Sequence, residues 1–248
     1  DHPVLRQDWA KYLDSWVKTD EEVGQILADL KKGGRLDSTA VFLWTDHGVS
    51  HLRGKQFLYE EGIRVPMIIR LPKKQSAGTV RDDLVEHIDV AACSLKLAGI
   101  KIPGNVQGRD LLASDYKTRK FVFAGRDRCD ETVDILRCVR DSRYKYVRNF
   151  MSHVPHAQPS QYKDGKKIMQ VIRGLHKEGK LNEQQSRPFA PRRPPEELYD
   201  LKSDPHELVN LAQAPKSQER LVAMRKVLYQ RMTETRDMGL IPEPILED

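Results

Sequence analysis

Ala40-Val41-Phe42-Leu43-Trp44-Thr45-Asp46-His47-Gly48 is the stretch that decides the fold. Its first five residues form a continuous apolar run, which reads as a short strand buried on both faces, and the polar turn after them marks the strand's carboxyl end. Upstream, residues 4–30 set Trp9, Tyr12, Trp16, Val23, Leu27 and Leu30 at three- and four-residue steps, with charged residues between them. That spacing predicts an amphipathic helix, closed by Gly33-Gly34. Helix, turn and buried strand together predict an α/β fold with a mostly parallel sheet flanked by helices.

Working outward, a second apolar strand is expected at residues 65–71, an apolar helix at 88–98 and a third strand at 121–124. Residues 135–139 and 144–147 flank Asp141-Ser142 and read as an antiparallel pair. A small C-terminal antiparallel sheet is therefore expected, closed by an amphipathic helix over 217–235. Residues 151–195 are polar, basic and proline-rich, and read as an extended surface excursion with at most one short helix near 166–177. The change of pattern divides the chain into an α/β part, residues 1–115, and a C-terminal part, residues 116–248.

Of 248 residues, 39% are apolar and 31% charged, and no apolar run nears the roughly 18 residues of a bilayer span. Low-complexity and membrane-spanning classes are excluded on that ground. Cys93, Cys129 and Cys138 lack zinc-knuckle or CxxC spacing, and an odd number closes no disulfide framework. The net charge is +6, and residues 163–193 alone hold nine Lys/Arg against Asp164, Glu178 and Glu183. Aromatic residues are sparse there and no nucleic-acid motif accompanies them, so a solvated surface is favoured over nucleic-acid binding. A basic patch of this kind can attract nucleic acid, an anionic polysaccharide or a membrane surface.

In open α/β sheets, ligands bind at the carboxyl ends of strands, where Asp46 and His47 stand. They offer a carboxylate oxygen and an imidazole nitrogen, while Gly54-Lys55 puts a cation on a loop able to fold back over them. A metal and a second cation suit a tetrahedral anion such as sulfate or phosphate. The alternative is a plain turn, the Asp46 carboxylate capping backbone amides. His51 reads as a loop histidine without a metal role, and Tyr59 and Glu60 as residues that hold Lys55. Arg126 and Arg128 follow the third strand and are candidate contacts to substrate; pairing with the acids around them is the alternative. Leu198, Tyr199 and Leu201 read as packing residues.

Thr45-Asp46-His47-Gly48, Gly54-Lys55 and Tyr59-Glu60-Glu61-Gly62-Ile63-Arg64-Val65-Pro66 together resemble the sulfatases of the alkaline phosphatase superfamily. Glu196-Glu197-Leu198-Tyr199-Asp200-Leu201 with Asp204-Pro205-His206-Glu207 resembles the C-terminal signature of the same enzymes. Between them His87-Ile88-Asp89, Gly108-Arg109-Asp110 and Arg140-Asp141-Ser142-Arg143-Tyr144-Lys145-Tyr146 fall in family order. The block pattern leans toward the heparan N-sulfatase-like branch.

The resemblance implies an alkaline phosphatase-like fold and a calcium-dependent hydrolase of sulfate esters or sulfamates that uses a formylglycine. It implies Asp46 and His47 as ligands of one Ca2+, Lys55 as the sulfate contact, a sulfated polysaccharide or other sulfate ester as substrate, and a periplasmic or secreted location. None of Cys93, Cys129 and Cys138, and no serine, begins the Cys/Ser-x-Pro/Ala-x-Arg motif of the formylglycine. The chain therefore reads as a C-terminal portion, with the formylglycine upstream, and is expected to be inactive alone, with apolar surface uncovered on the first helix or the sheet beside it. Two other readings stay open: a phosphomonoester or phosphonate hydrolase of the same superfamily, and a non-catalytic polyanion-binding protein.

Overall fold

The computed structural model describes residues 1–246. The chain opens with helix α1, Pro3–Lys32. Pro3 suits the first turn, the His2 side chain accepts from Val4 N at 3.2 Å, and Gly33 caps the end. No residue of α1 is buried, and Trp9, Leu13, Val17 and Ile26 are exposed, in keeping with an apolar face left partly uncovered.

Strand β1, Val41–Trp44, pairs with β2, Met67–Arg70, after the loop of residues 45–66 and the short helix α2, Glu60–Ile63. The pair is antiparallel, with Val41 opposite Arg70 and Trp44 opposite Met67. The mostly parallel sheet is not what forms: among the described residues every strand pair is antiparallel. Nor is β1 buried on both faces, since Trp44 is 39% and Ile68 61% exposed. A continuous apolar run reports a tendency to leave water; it carries no information about strand direction, and two strands cannot cover both their faces.

Helix α3, Ile88–Leu97, is held by Asp89, whose buried carboxylate takes both nitrogens of the Arg119 fork and the Arg109 backbone amide. Four strands follow: β3, Val122–Cys129; β4, Thr132–Arg140; β5, Tyr144–Asn149; and β6, Glu196–Asp200. They form one antiparallel sheet in the order β3-β4-β5-β6, with an irregularity in β3 between Arg126 and Arg128. Strand β6 was not among the expected elements, because its acidic residues disguise the apolar Leu198 and Tyr199.

This sheet is covered on both faces. On one, Val139, Tyr146 and Leu198 meet Leu221, Met224 and Leu228 of helix α7, Gln218–Glu234. On the other, Leu136, Cys138 and Val147 meet Leu58 and Ile63 of the β1–β2 loop region. Successive residues such as Cys138 and Val139 point to opposite faces, as pleating requires. The sheet thus acts as the platform on which residues 57–63 rest. The excursion between β5 and β6 carries three helices where at most one was expected: α4, Gln161–Asp164; α5, Lys167–Lys177; and α6, Glu183–Ser186. It is more than surface, since Lys163, Ile168, Met169 and Arg193 are buried. A last helix, α8, spans Glu243–Leu246.

Candidate functional site

The site begins where β1 ends. Asp46 projects into solvent, and its Oδ1 accepts the His47 backbone amide at 3.0 Å. His47 Nδ1 lies 2.8 Å from the Gly48 carbonyl oxygen. A carbonyl only accepts, so Nδ1 donates, and Nε2 is the ring nitrogen turned toward Asp46. Nε2 stands 3.4 Å from Asp46 Oδ2. Two donors at that separation fit one cation bonded at about 2.4 Å to each. The Asp46 carboxylate caps a backbone amide and keeps Oδ2 facing the imidazole, so the turn reading and the ligand reading describe the same geometry. Calcium takes about six to eight oxygen-rich ligands, and among the described residues no group of three or more His, Cys, Asp or Glu gathers to hold a metal.

The loop after this pair is locked by close backbone approach. Gly48 N donates to Gly62 O at 2.9 Å, and a Cβ at Gly48 would stand 1.8 Å from the Glu61 carbonyl oxygen. A Cβ at Gly54 would stand equally close, 1.8 Å, to the Val49 carbonyl oxygen. Both glycines are needed for this contact between backbones, not for a positive φ. His51 Nε2 pairs with Asp8 Oδ2 at 2.8 Å, and its ring packs on Trp9, tying the loop to α1. His87 Nε2 reaches the Thr45 carbonyl at 3.0 Å, beside Asp46.

Lys55 Nζ lies 3.4 Å from the Tyr162 hydroxyl and 4.6 Å from the centre of that ring. Tyr59 and Glu60 do not hold it, contrary to the sequence-based expectation. Tyr59 donates to Glu197 at 2.9 Å, and Glu60 pairs with Lys145 at 2.8 Å and Arg140 at 3.0 Å. Lys145, fully buried on β5, also pairs with Glu207 at 2.8 Å. Burial opposes the Glu60 charge, but Lys145 and Arg140 outweigh it and lower its pKa; at Glu207 burial wins and raises it. The blocks around Glu60, Lys145 and Glu207, distant in sequence, thus meet in one buried cluster that fastens the loop to the sheet. Tyr199 is buried as expected of a packing residue, and also donates to Glu197.

Lys163 performs the same fastening from the excursion. Its buried Nζ donates to Lys55 O at 2.9 Å and His51 O at 3.3 Å. Burial, then Arg126 and Lys166, push its pKa down to about 7. Arg126 is buried as well, donates to Gln56 O at 3.0 Å and lies 3.5 Å from Asp134. The structure therefore places Arg126 behind the loop and not at its rim. Arg128 is exposed, with Nε 2.7 Å from Asp130 O. Asp127 pairs with Arg137 on β4.

Sequence reading did not single out Ser50, Tyr162 or Lys166 beside Lys55. Tyr162 and Lys166 are four residues apart in the basic excursion, a spacing that puts two side chains on one side of a turn. Nothing in the linear sequence connects them to residue 55, more than one hundred positions away.

A family model described as Sulfatase matches residues 3–100. An ulvan-active sulfatase of Formosa agariphila is 37% identical over 241 residues, 97% of this chain and 40% of that protein. N-sulphoglucosamine sulphohydrolase of Homo sapiens is 24% identical over 268 residues, 99% of this chain and 52% of that protein. The solved structure of BT4656 in complex with its substrate D-glucosamine-2-N,6-O-disulfate matches with a TM-score of 0.66 at 22% identity, over 93% of this chain and 42% of that one. The fold is thus the α/β fold of these sulfatase structures. Within it the chain belongs to the sulfatase family and aligns to part of larger members, about half of their length or less.

Proposed function

We propose that the chain supplies two metal ligands and a sulfate contact to a hydrolase of sulfate esters or sulfamates on glycans. The observation that carries this reading is the Asp46–His47 pair at the end of β1, with Nε2 and Oδ2 turned toward each other at 3.4 Å. Asp46 and His47 would hold a Ca2+ ion, which would supply positive charge to the sulfate oxygens. Lys55 donates to a sulfate oxygen from the loop fastened beneath it by Lys163 and the Lys145 cluster. Arg128, exposed beside the third strand's end, stays a candidate contact to the sugar; Arg126 acts through the loop carbonyl that it holds. The identity to the ulvan-active enzyme supports a sulfated polysaccharide as substrate over a phosphate or phosphonate ester, and a periplasmic or secreted location goes with such a substrate.

Formylglycine, the group that the family uses as nucleophile, has no motif within these 248 residues. The reading therefore assigns binding, not attack, to this chain.

Metal content and sulfate release by the complete enzyme test the assignment. Asp46→Asn and His47→Ala are expected to lose bound calcium and to lower sulfate release from a sulfated glycan by about 100-fold or more. Calcium retained at full occupancy in both variants, or phosphate monoesters turned over in preference to sulfate esters, would contradict it.

A further inference from the structure

Two lysines meet at one tyrosine beside the loop. Lys166 Nζ lies 3.2 Å from the Tyr162 hydroxyl and 4.4 Å from its ring centre, mirroring Lys55 at 3.4 Å and 4.6 Å. Lys166 also donates to Ser50 Oγ at 2.5 Å, and Ser50 Oγ stands 3.1 Å from the same hydroxyl. Among the described residues, no carboxylate forms an ion pair with Lys55, Lys163 or Lys166; their acceptors are the hydroxyls of Tyr162 and Ser50 and backbone carbonyls. Neither Lys55 nor Lys166 is buried, and Tyr162 is 38% exposed, so the cluster faces solvent.

Such an arrangement is costly when empty. Like charges held close repel, and hydroxyls compensate an ammonium less well than an oxyanion does. Hydrogen bonds with Ser50, then with Lys166 and Lys55, hold the Tyr162 phenol down to about 8. One sulfate at Lys55 answers one of the two half-buried cations. The other remains.

We propose that Lys166 and Tyr162 extend the Lys55 contact into a seat for two oxyanions, so that the site selects saccharides carrying a second anionic group beside the sulfate to be cleaved. This rests on the reading of Lys55 as the sulfate contact. Lys166 is then a specificity residue, and Tyr162 a positioning residue that spaces the two ammonium groups. The second group is a sulfate or a carboxylate, since both offer the two or three oxygens that an ammonium takes.

Calorimetric titration of the chain with three saccharides tests the seat: N-acetylglucosamine 6-sulfate, glucosamine 2-N,6-O-disulfate, and a disaccharide joining one sulfated sugar to one uronate. The two dianionic ligands are expected to bind about tenfold more tightly than the monoanionic one. Lys166→Gln should erase that preference while leaving the monoanionic ligand's affinity unchanged, and Lys166→Arg should retain it. A preference for only one dianionic ligand identifies the second group as sulfate or carboxylate. A preference that survives in Lys166→Gln, or an equal loss for all three ligands, would overturn the seat.

An ultraviolet titration of the tyrosines separates this from failure of the sulfate-ester reading. Inorganic sulfate is expected to shift a low-titrating tyrosine upward, a response absent in Tyr162→Phe. If that response is present while no saccharide binds, the glycan reading falls and anion binding by the cluster stands. If it is absent, the seat itself falls.

Discussion

At the scale of single residues, buried charge decides how the site is held. Lys145 stands between Glu60 and Glu207 with no exposed surface. Lys145→Met would leave the buried Glu207 carboxylate without its cation and Glu60 with Arg140 alone, at a cost of about 3–5 kcal/mol. Urea denaturation reads that cost, and a loss under about 1 kcal/mol would show that the cluster does not fasten the loop. Glu197 supplies a pH signature. Burial opposes its charge, but hydrogen bonding and charge from His156, then Tyr199 and Asn149, bring its pKa down to about 2. A free glutamate titrates near roughly 4.3, so as pH falls the unfolded chain takes up the proton first. Stability from this group is complete above about 4.3 and is lost as pH falls toward about 2. Glu197→Gln should flatten that part of the curve of unfolding free energy against pH; an unchanged slope would contradict it.

At the scale of elements, legibility followed periodicity. Helices α1, α3 and α7 and strands β4 and β5 show 3.6- or two-residue patterns of apolar side chains, and the structure forms them within a few residues of the expected limits. Asp46, His47 and Lys55 were legible as candidates because the end of β1 could be found. Three things were not legible. The antiparallel pairing of β1 with β2 is a property of where the chain returns, which the 45–66 loop conceals. Strand β6 sets Glu196, Glu197 and Asp200 around the buried Leu198 and Tyr199, with Glu196 satisfied by Arg225 and the buried Glu197 by Asn149, so no apolar pattern shows. The Tyr162–Lys166 pair reaches Lys55 only through tertiary folding. Elements also differ in what they contribute. Leu228→Ala on α7, 2% exposed, should cost about 2–5 kcal/mol, whereas Leu13→Ala on α1, 59% exposed, should change stability by about 0.5 kcal/mol or less. Equal losses in thermal or urea unfolding would show that the apolar face of α1 is covered in solution.

At the scale of the whole molecule, the four-stranded sheet is a platform with a division of labour. One face meets α7 and stabilises; the other carries residues 57–63, and through them the loop that bears Asp46, His47 and Lys55. The excursion, with Lys163, closes over that loop from the side. If, as proposed, this chain binds and does not attack, it should hold sulfated ligands without turning them over. Accordingly the 248-residue chain with calcium is expected to release no sulfate from an aryl sulfate above background. The most direct measurement is sulfate release from a sulfated glycan by the complete enzyme with Lys55→Ala. The account predicts a fall of about 100-fold in turnover with the fold intact; turnover equal to that of the unsubstituted enzyme would contradict it.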